Sequence, residues 1–249
     1  MGYTVAFVGK GGVGKTTLSA QLVRFLVNRK AGSVLAVDAD PNNNLHLALG
    51  VKVQKTIGDM REELAKDTLS SPGISKERIF EYKLQELLVE EKGFSLLAMG
   101  RPEGQGCYCY VNHILRRYLD ILQDDYAYVV IDTEAGMEHL SRRTTRNLDL
   151  MLIVSQLTEA SVLATERITE LARSLPVGVK AMGVILNMVV SFSNSTSEKL
   201  RNRIKKIPLE VLAEVPYDEK MSGFGEGTSG DICPQVAALY ERILRKEQF

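Results

Sequence analysis

Apolar runs recur along the chain at Tyr3–Val8, Val34–Val37, Phe94–Ala98, Tyr128–Ile131, Leu150–Val154, Ala181–Leu186 and Val211–Val215. Most show no polar alternation, which is how parallel strands covered on both faces read. Between several of them the period changes to that of a helix. Thr17–Arg29 places Leu18, Leu22, Phe25 and Leu26 on one face, and Val111–Leu122 does the same with Ile114, Leu115, Tyr118, Leu119 and Leu122. Glu159–Leu175 continues the pattern. Strand and helix in repeated alternation predict an α/β fold, a doubly wound and mostly parallel sheet flanked by helices. Thr56–Glu91 reads as two amphipathic helices broken at Ser70-Ser71-Pro72-Gly73, although Ile79–Leu88 reads equally as extended chain. Val236–Leu244 is apolar along Leu239, Tyr240 and Ile243, with basic residues beyond. A membrane-surface helix has that character too, but a short amphipathic helix of this kind is expected to dock on the sheet.

The first strand runs straight into Gly9-Lys10-Gly11-Gly12-Val13-Gly14-Lys15-Thr16-Thr17 and then a helix. This is the phosphate-binding P-loop pattern in its strand–loop–helix setting. Glycines let the backbone curl so that successive N–H groups face phosphate oxygens, and the positive end of the helix adds field there. Lys15 brings an ammonium to the β- and γ-phosphates, and Thr16 offers its hydroxyl to Mg²⁺. Gly11, Gly12, Val13, Gly14 and Thr17 complete the cradle.

Lys10 is not needed by an ordinary P-loop. Lys10 to Thr17 resembles the deviant Walker A motif of nitrogenase iron proteins, Min and Par positioning ATPases and metal-cluster assembly ATPases. The resemblance implies two subunits closing face to face over two ATP molecules, each Lys10 reaching into the neighbouring site. It also implies roles for carboxylates at strand ends. In Val37-Asp38-Ala39-Asp40-Pro41, where alternation along the strand end would put both aspartates on one side, Asp38 supports Mg²⁺ through water and Asp40 orients the attacking water. In Ile131-Asp132-Thr133-Glu134-Ala135-Gly136, Asp132 completes the surroundings of the metal and Gly136 senses the γ-phosphate. Asn187, Pro216 and Tyr217 follow later strands and, by the same resemblance, hold the adenine. Each aspartate has a plainer alternative, the capping of a following helix.

Gly104-Gln105-Gly106-Cys107-Tyr108-Cys109 precedes the helix starting near Val111. Two cysteines one residue apart in extended chain can share a soft metal ion, and a nearby helix start favours their thiolates. A closed tetrahedral site wants four ligands. His113 is an auxiliary candidate. If the loop lies on the two-fold axis of the implied dimer, two Cys107–Cys109 pairs form an S₄ site, linking metal binding to dimerisation. Buried cysteines acting as small apolar residues are the alternative. Cys233 stands alone and reads as structural.

Together, Lys10–Thr17, Asp38-Ala39-Asp40-Pro41, Cys107-x-Cys109 and Asp132–Leu140 resemble the nickel-insertion ATPases that mature carbon monoxide dehydrogenase and acetyl-CoA synthase. That resemblance implies a homodimer using ATP/ADP and Mg²⁺, binding Ni²⁺ with Zn²⁺ as a possible substitute, and a nickel enzyme as client. Residues 1–249 are expected to form a single P-loop ATPase domain with a metal-binding loop at 104–110. An iron–sulfur electron donor of the nitrogenase type is a competing reading, but its ligands come from distant segments and Asp132–Gly136 contains no cysteine. A Min- or Par-type positioning switch leaves Cys107 and Cys109 unexplained.

Composition narrows the partners. Lys plus Arg and Asp plus Glu each total 31, giving a formal net charge of zero, so no nucleic-acid partner is expected. Lys199, Arg201, Arg203, Lys205 and Lys206 read as a solvated helix face. No secretory or membrane-spanning pattern is seen, no membrane partner is expected, and 3 cysteines do not make a disulfide framework. A cytoplasmic location is expected.

Overall fold

Each of these apolar runs is a strand of one sheet that has eight strands among the described residues, ordered β3-β4-β2-β5-β1-β6-β7-β8. The structure, a computed structural model, describes residues 2–66, 83, 86–101, 119, 122, 124–135, 147–174, 178–190, 195–218, 232–247 and 249. The strands are β1 (Tyr3–Gly9), β2 (Val34–Ala39), β3 (Leu88–Glu91), β4 (Phe94–Ala98), β5 (Tyr128–Thr133), β6 (Asn147–Ser155), β7 (Gly178–Val189) and β8 (Glu210–Pro216). The helices among the described residues are α1 (Lys15–Asn28), α2 (Leu45–Leu49), α3 (Ile57–Lys66), α4 (Glu159–Ser174), α5 (Ser195–Ile204) and α6 (Pro234–Leu244).

Burial on both faces explains why the strand sequences do not alternate. On β1, Val5 and Phe7 enter one core with Leu18, Leu22 and Leu26 of α1 and with Val236, Leu239, Tyr240 and Ile243 of α6. Ala6 and Val8 enter the other, with Ile57 and Met60 of α3 and Ile168 and Ala172 of α4. Successive side chains point to opposite faces, so both must be apolar. Tyr240, fully buried, donates its hydroxyl to the Leu18 carbonyl at 2.7 Å, and α6 docks on the sheet as expected. No helix among the described residues is long and apolar enough to cross a membrane.

Neighbouring strands are parallel except β3, which pairs antiparallel with β4. Within the ambiguous stretch, α3 is the first expected helix, started by a reciprocal Thr56–Asp59 cap in which Asp59 N–H donates to Thr56 Oγ1 and Thr56 N–H to Asp59 Oδ2. Lys83, Glu86 and Leu87 are helical, and the chain becomes extended only at Leu88. Residues 67–82 lie outside the described residues, as does most of the expected Val111–Leu122 helix. Its Leu119 and Leu122 are described, helical and buried in the second core.

Lys199, Lys205 and Lys206 are exposed, whereas the two arginines of α5 meet carboxylates. Arg203 is bidentate to Glu166, both contacts 2.6 Å, and also reaches Glu159 at 2.9 Å. Arg201 meets Glu214 at 2.5 Å, while Leu200 and Ile204 are buried beneath.

Candidate functional site

Because β1, β2, β5, β6, β7 and β8 run parallel, their carboxyl ends meet along one edge of the sheet, where ligands of such folds gather. The P-loop leaves β1 at the centre of that edge. Gly12 (φ 80°) and Gly14 (φ 93°) adopt left-handed backbone that side chains disfavour. Gly14 is also the N-cap of α1 and offers no side chain to its first N–H groups, leaving them for an anion.

Lys15, 7% exposed, curls back over its own loop and donates to the carbonyls of Gly9 at 3.3 Å and Lys10 at 3.2 Å. Burial lowers its pKa, opposed by the negative charges of Asp132, Asp40 and Glu134 around it. Lys10, Gly11 and Gly12 are exposed, while Val13 is buried and Thr16 and Thr17 are half-buried.

Asp38 and Asp132 are register partners on β2 and β5, both buried. Asp38 accepts the N–H of Asp40 on Oδ1 at 3.1 Å and that of Leu45 on Oδ2 at 2.8 Å. It therefore ties the loop after β2 and caps α2 as well. Burial, reinforced by Asp132, pushes its pKa up to about 8 against the effect of those two N–H donors. The chain leaves the strand after Ala39, so alternation does not extend to Asp40. Asp40 is half-exposed and accepts the Asn42 N–H at 2.8 Å.

Both carboxylate oxygens of Asp132 are buried, and among the described residues neither has a hydrogen-bond partner. Burial pushes its pKa up to about 7; the nearby Thr16 hydroxyl, outside ordinary hydrogen-bond geometry, and Lys15 only temper this, and Asp40 adds to it. Orphaned buried oxygens carry a desolvation cost that a cation would relieve. The donors Asp132, Asp38, Asp40 and Thr16 are hard oxygens and suit Mg²⁺. Among the described residues no three His, Cys, Asp or Glu side chains are grouped to hold a metal by themselves.

Asn187, expected to follow its strand, lies within β7 two residues before its end; it is 5% exposed and donates Nδ2 to the Val13 carbonyl at 2.8 Å. It therefore touches the P-loop itself. Pro216 pairs with Val189, and Tyr217, half exposed, donates its N–H to the Val189 carbonyl at 3.0 Å. Gly136, Cys107, Cys109 and His113 lie outside the described residues, and with them the whole loop at 104–110. Cys233 is partly buried, packs against the first core and immediately precedes α6.

Two contacts at this edge have no motif in the sequence. Gln156, just past β6, donates Nε2 to the Gly12 carbonyl at 3.2 Å and to Met188 Sδ at 2.9 Å. Arg101 donates to Asn42 Oδ1 at 2.9 Å, joining the end of the β4 segment to the loop after β2. A polar residue following an apolar strand is the only signal either left in the sequence.

The chain is 44% identical over 255 residues, 98% of its length and 99% of the relative's, to an uncharacterised ATP-binding protein of Methanocaldococcus jannaschii. It is 35% identical over 262 residues, 96% of this chain and 97% of the other, to the carbon monoxide dehydrogenase accessory protein CooC of Rhodospirillum rubrum. Its fold is similar to that of apo McdA from Cyanothece, with a TM-score of 0.74 at 20% identity over 99% of each chain. Residues 4–227 match the nucleotide-binding domain shared by CobQ, CobB, MinD and ParA. With the P-loop, the paired strand-end aspartates and the parallel sheet in the places that such a domain requires, the chain belongs to the CobQ/CobB/MinD/ParA nucleotide-binding family.

Proposed function

We propose that this ATPase is a dimeric metallochaperone. It binds Ni²⁺ through Cys107 and Cys109 of two subunits and delivers it to a carbon monoxide dehydrogenase or acetyl-CoA synthase. The observation that carries this reading is the 35% identity with a carbon monoxide dehydrogenase accessory protein across 96% of the chain, joined to the Cys107-x-Cys109 pair in the sequence.

The residues at the sheet edge support the ATP half of the cycle. The P-loop N–H groups and Lys15 receive the phosphates, with Lys15 exchanging its contacts to the Gly9 and Lys10 carbonyls for phosphate oxygens. Asp132 and Thr16, with Asp38 behind, hold Mg²⁺, which neutralises phosphate charge when bound with ATP. Asp40 orients the attacking water, and its half-exposed carboxylate sits among the charges that face Lys15. Lys10, exposed at the loop, acts on the partner's phosphates when two subunits close. Gly136 senses nucleotide state, while Asn187, Pro216 and Tyr217 border the adenine.

Asp38 is the mechanical link. One carboxylate holds Asp40 and Leu45, so a shift of Asp40 towards the γ-phosphate displaces α2 through the same side chain. Closure of the dimer then changes the distance between the two Cys107–Cys109 pairs, and with it the affinity for the ion.

The test is Ni²⁺ stoichiometry measured together with molecular mass, for the native chain and for Cys107→Ala/Cys109→Ala. One ion per dimer, lost with the cysteines while ATPase activity persists, is the expected result. No cysteine-dependent ion overturns the metal reading, and visible iron–sulfur absorption in anaerobically purified protein replaces it with an electron donor.

A further inference from the structure

The P-loop is held from outside by two side-chain amides on neighbouring strands. Gln156, following β6, donates to the Gly12 carbonyl at 3.2 Å, and Asn187, near the end of β7, donates to the Val13 carbonyl at 2.8 Å. These are consecutive peptide units. In a trans peptide the carbonyl and the following N–H point in opposite directions. Holding the Gly12 carbonyl therefore directs the Val13 N–H away from Gln156, and holding the Val13 carbonyl directs the Gly14 N–H away from Asn187.

A glycine-rich loop needs such external definition. Gly12 and Gly14 have wide backbone freedom, and among the described residues a Cβ placed on Gly12 would meet nothing within 4 Å. With no side chain of its own to fix the backbone at Gly12, the hydrogen bond from Gln156 is a contact that orients this peptide. Gln156 is itself fixed. Its N–H donates to Ser161 Oγ at 2.9 Å, and its carbonyl accepts the Thr158 N–H at 2.8 Å. Its side-chain amide also donates to Met188 Sδ at 2.9 Å. A carbonyl at Gly12 can only accept, so the amide must present nitrogen there and not oxygen.

We propose that Gln156 is a positioning residue for nucleotide binding: it orients the Gly12–Val13 peptide so that the Val13 N–H is set for a phosphate of ADP or ATP. Asn187 does the same for the next peptide. The role is independent of which metal the protein carries. Gln156 does not touch the reacting atoms; it acts through the loop, so its loss weakens ADP and ATP alike and leaves the chemical step nearly intact.

Gln156→Glu keeps the shape and replaces the donor with an acceptor, and Gln156→Leu removes both. ADP affinity by equilibrium titration, steady-state ATP kinetics, the ³¹P shift of the β-phosphate of bound ADP and the thermal midpoint without nucleotide are measured for each. One mis-set charge-assisted bond predicts about a tenfold or larger rise in the ADP Kd and ATP KM, with kcat within about threefold, in both variants. The β-phosphate shift moves while the nucleotide-free midpoint stays within about 2 °C of the parent, since a half-exposed polar substitution costs little stability. ADP affinity within about twofold of the parent, with an unchanged ³¹P shift, overturns the proposal. So does a fall in thermal midpoint that accompanies equal losses of affinity and kcat, which assigns Gln156 a purely structural role.

Discussion

Asp38 of β2 and Asp132 of β5 stand directly opposite one another in the parallel ladder, the first 0% and the second 1% exposed. Two carboxylates so placed cannot both be charged cheaply. Lys15 lies at the same edge of the sheet and offsets part of that cost, and in the proposed function Mg²⁺ and phosphate join it there.

The pair makes stability depend on pH. Both folded-state pKa values lie above the ordinary carboxylate value of 3.8, at about 8 for Asp38 and about 7 for Asp132. Between those limits the folded state holds more protons than the unfolded chain, so stability is full in acid and falls as pH rises from roughly 4 to 8. Asp132→Asn is expected to raise the nucleotide-free thermal midpoint at pH 8 by a few degrees and to flatten its decline with pH. The same variant loses Mg²⁺-dependent ATP hydrolysis. Thermal scans from pH 5 to 9 without nucleotide or Mg²⁺ check this; a lower midpoint for the variant at pH 8 contradicts the burial argument.

Lys10 is exposed, and Lys15 is buried in the loop. Lys10→Ala is expected to retain ATP affinity while turnover falls by about 10³-fold, the scale of a residue supplied across an interface. ATP-dependent dimerisation, followed by light scattering, disappears with it. Normal hydrolysis in the variant removes the paired-subunit mechanism.

The Asp40 carboxylate accepts the Asn42 N–H, its carbonyl accepts the Asn43 N–H, and its own N–H is held by Asp38. Asp40→Ala leaves the Asp38 contacts in place, so Mg-ATP still binds. Hydrolysis is expected to fall by about 10² or more, the scale of a lost positioned base, and the closed dimer accumulates. Size-exclusion chromatography in ATP reads the accumulation, and wild-type turnover reassigns the water-orienting role.

Gly14 has φ 93°, and a Cβ there would lie 2.3 Å from Asn187 Nδ2. Gly14→Ala incurs roughly 1–2 kcal/mol of left-handed strain and pushes Asn187 from the Val13 carbonyl. The thermal gain on adding ADP is expected to vanish, as measured by melting with and without saturating ADP. An undiminished ADP-dependent gain shows that the loop tolerates displacement of Asn187.

Much of the fold was legible because its strands are buried on both faces. Val34–Val37 and Tyr128–Ile131 announce themselves as unbroken apolar runs, and the structure extends each only by two residues, Asp38-Ala39 and Asp132-Thr133. Those extensions carry the aspartates, which periodicity could not include because charged residues contradict the pattern by which strands are read. The edge strand Leu88–Glu91 shares only Leu88 with the segment that read as extended, and the rest of it read as helix, for the opposite reason. It is short, half-exposed and ends in Glu90-Glu91, as edge strands that avoid intermolecular pairing do.

What the amino-acid sequence determined alone is local: the phosphate loop, its glycines and Lys15 lie within one strand–turn–helix, where spacing and backbone conformation suffice to define the chemistry. The tertiary structure alone decided the strand order that brings Asp38 against Asp132, and the approach of Gln156 and Asn187 to Gly12 and Val13, 144 and 174 residues away in sequence. Register between distant strands depends on how two cores pack around the sheet, and no short stretch of chain contains that information.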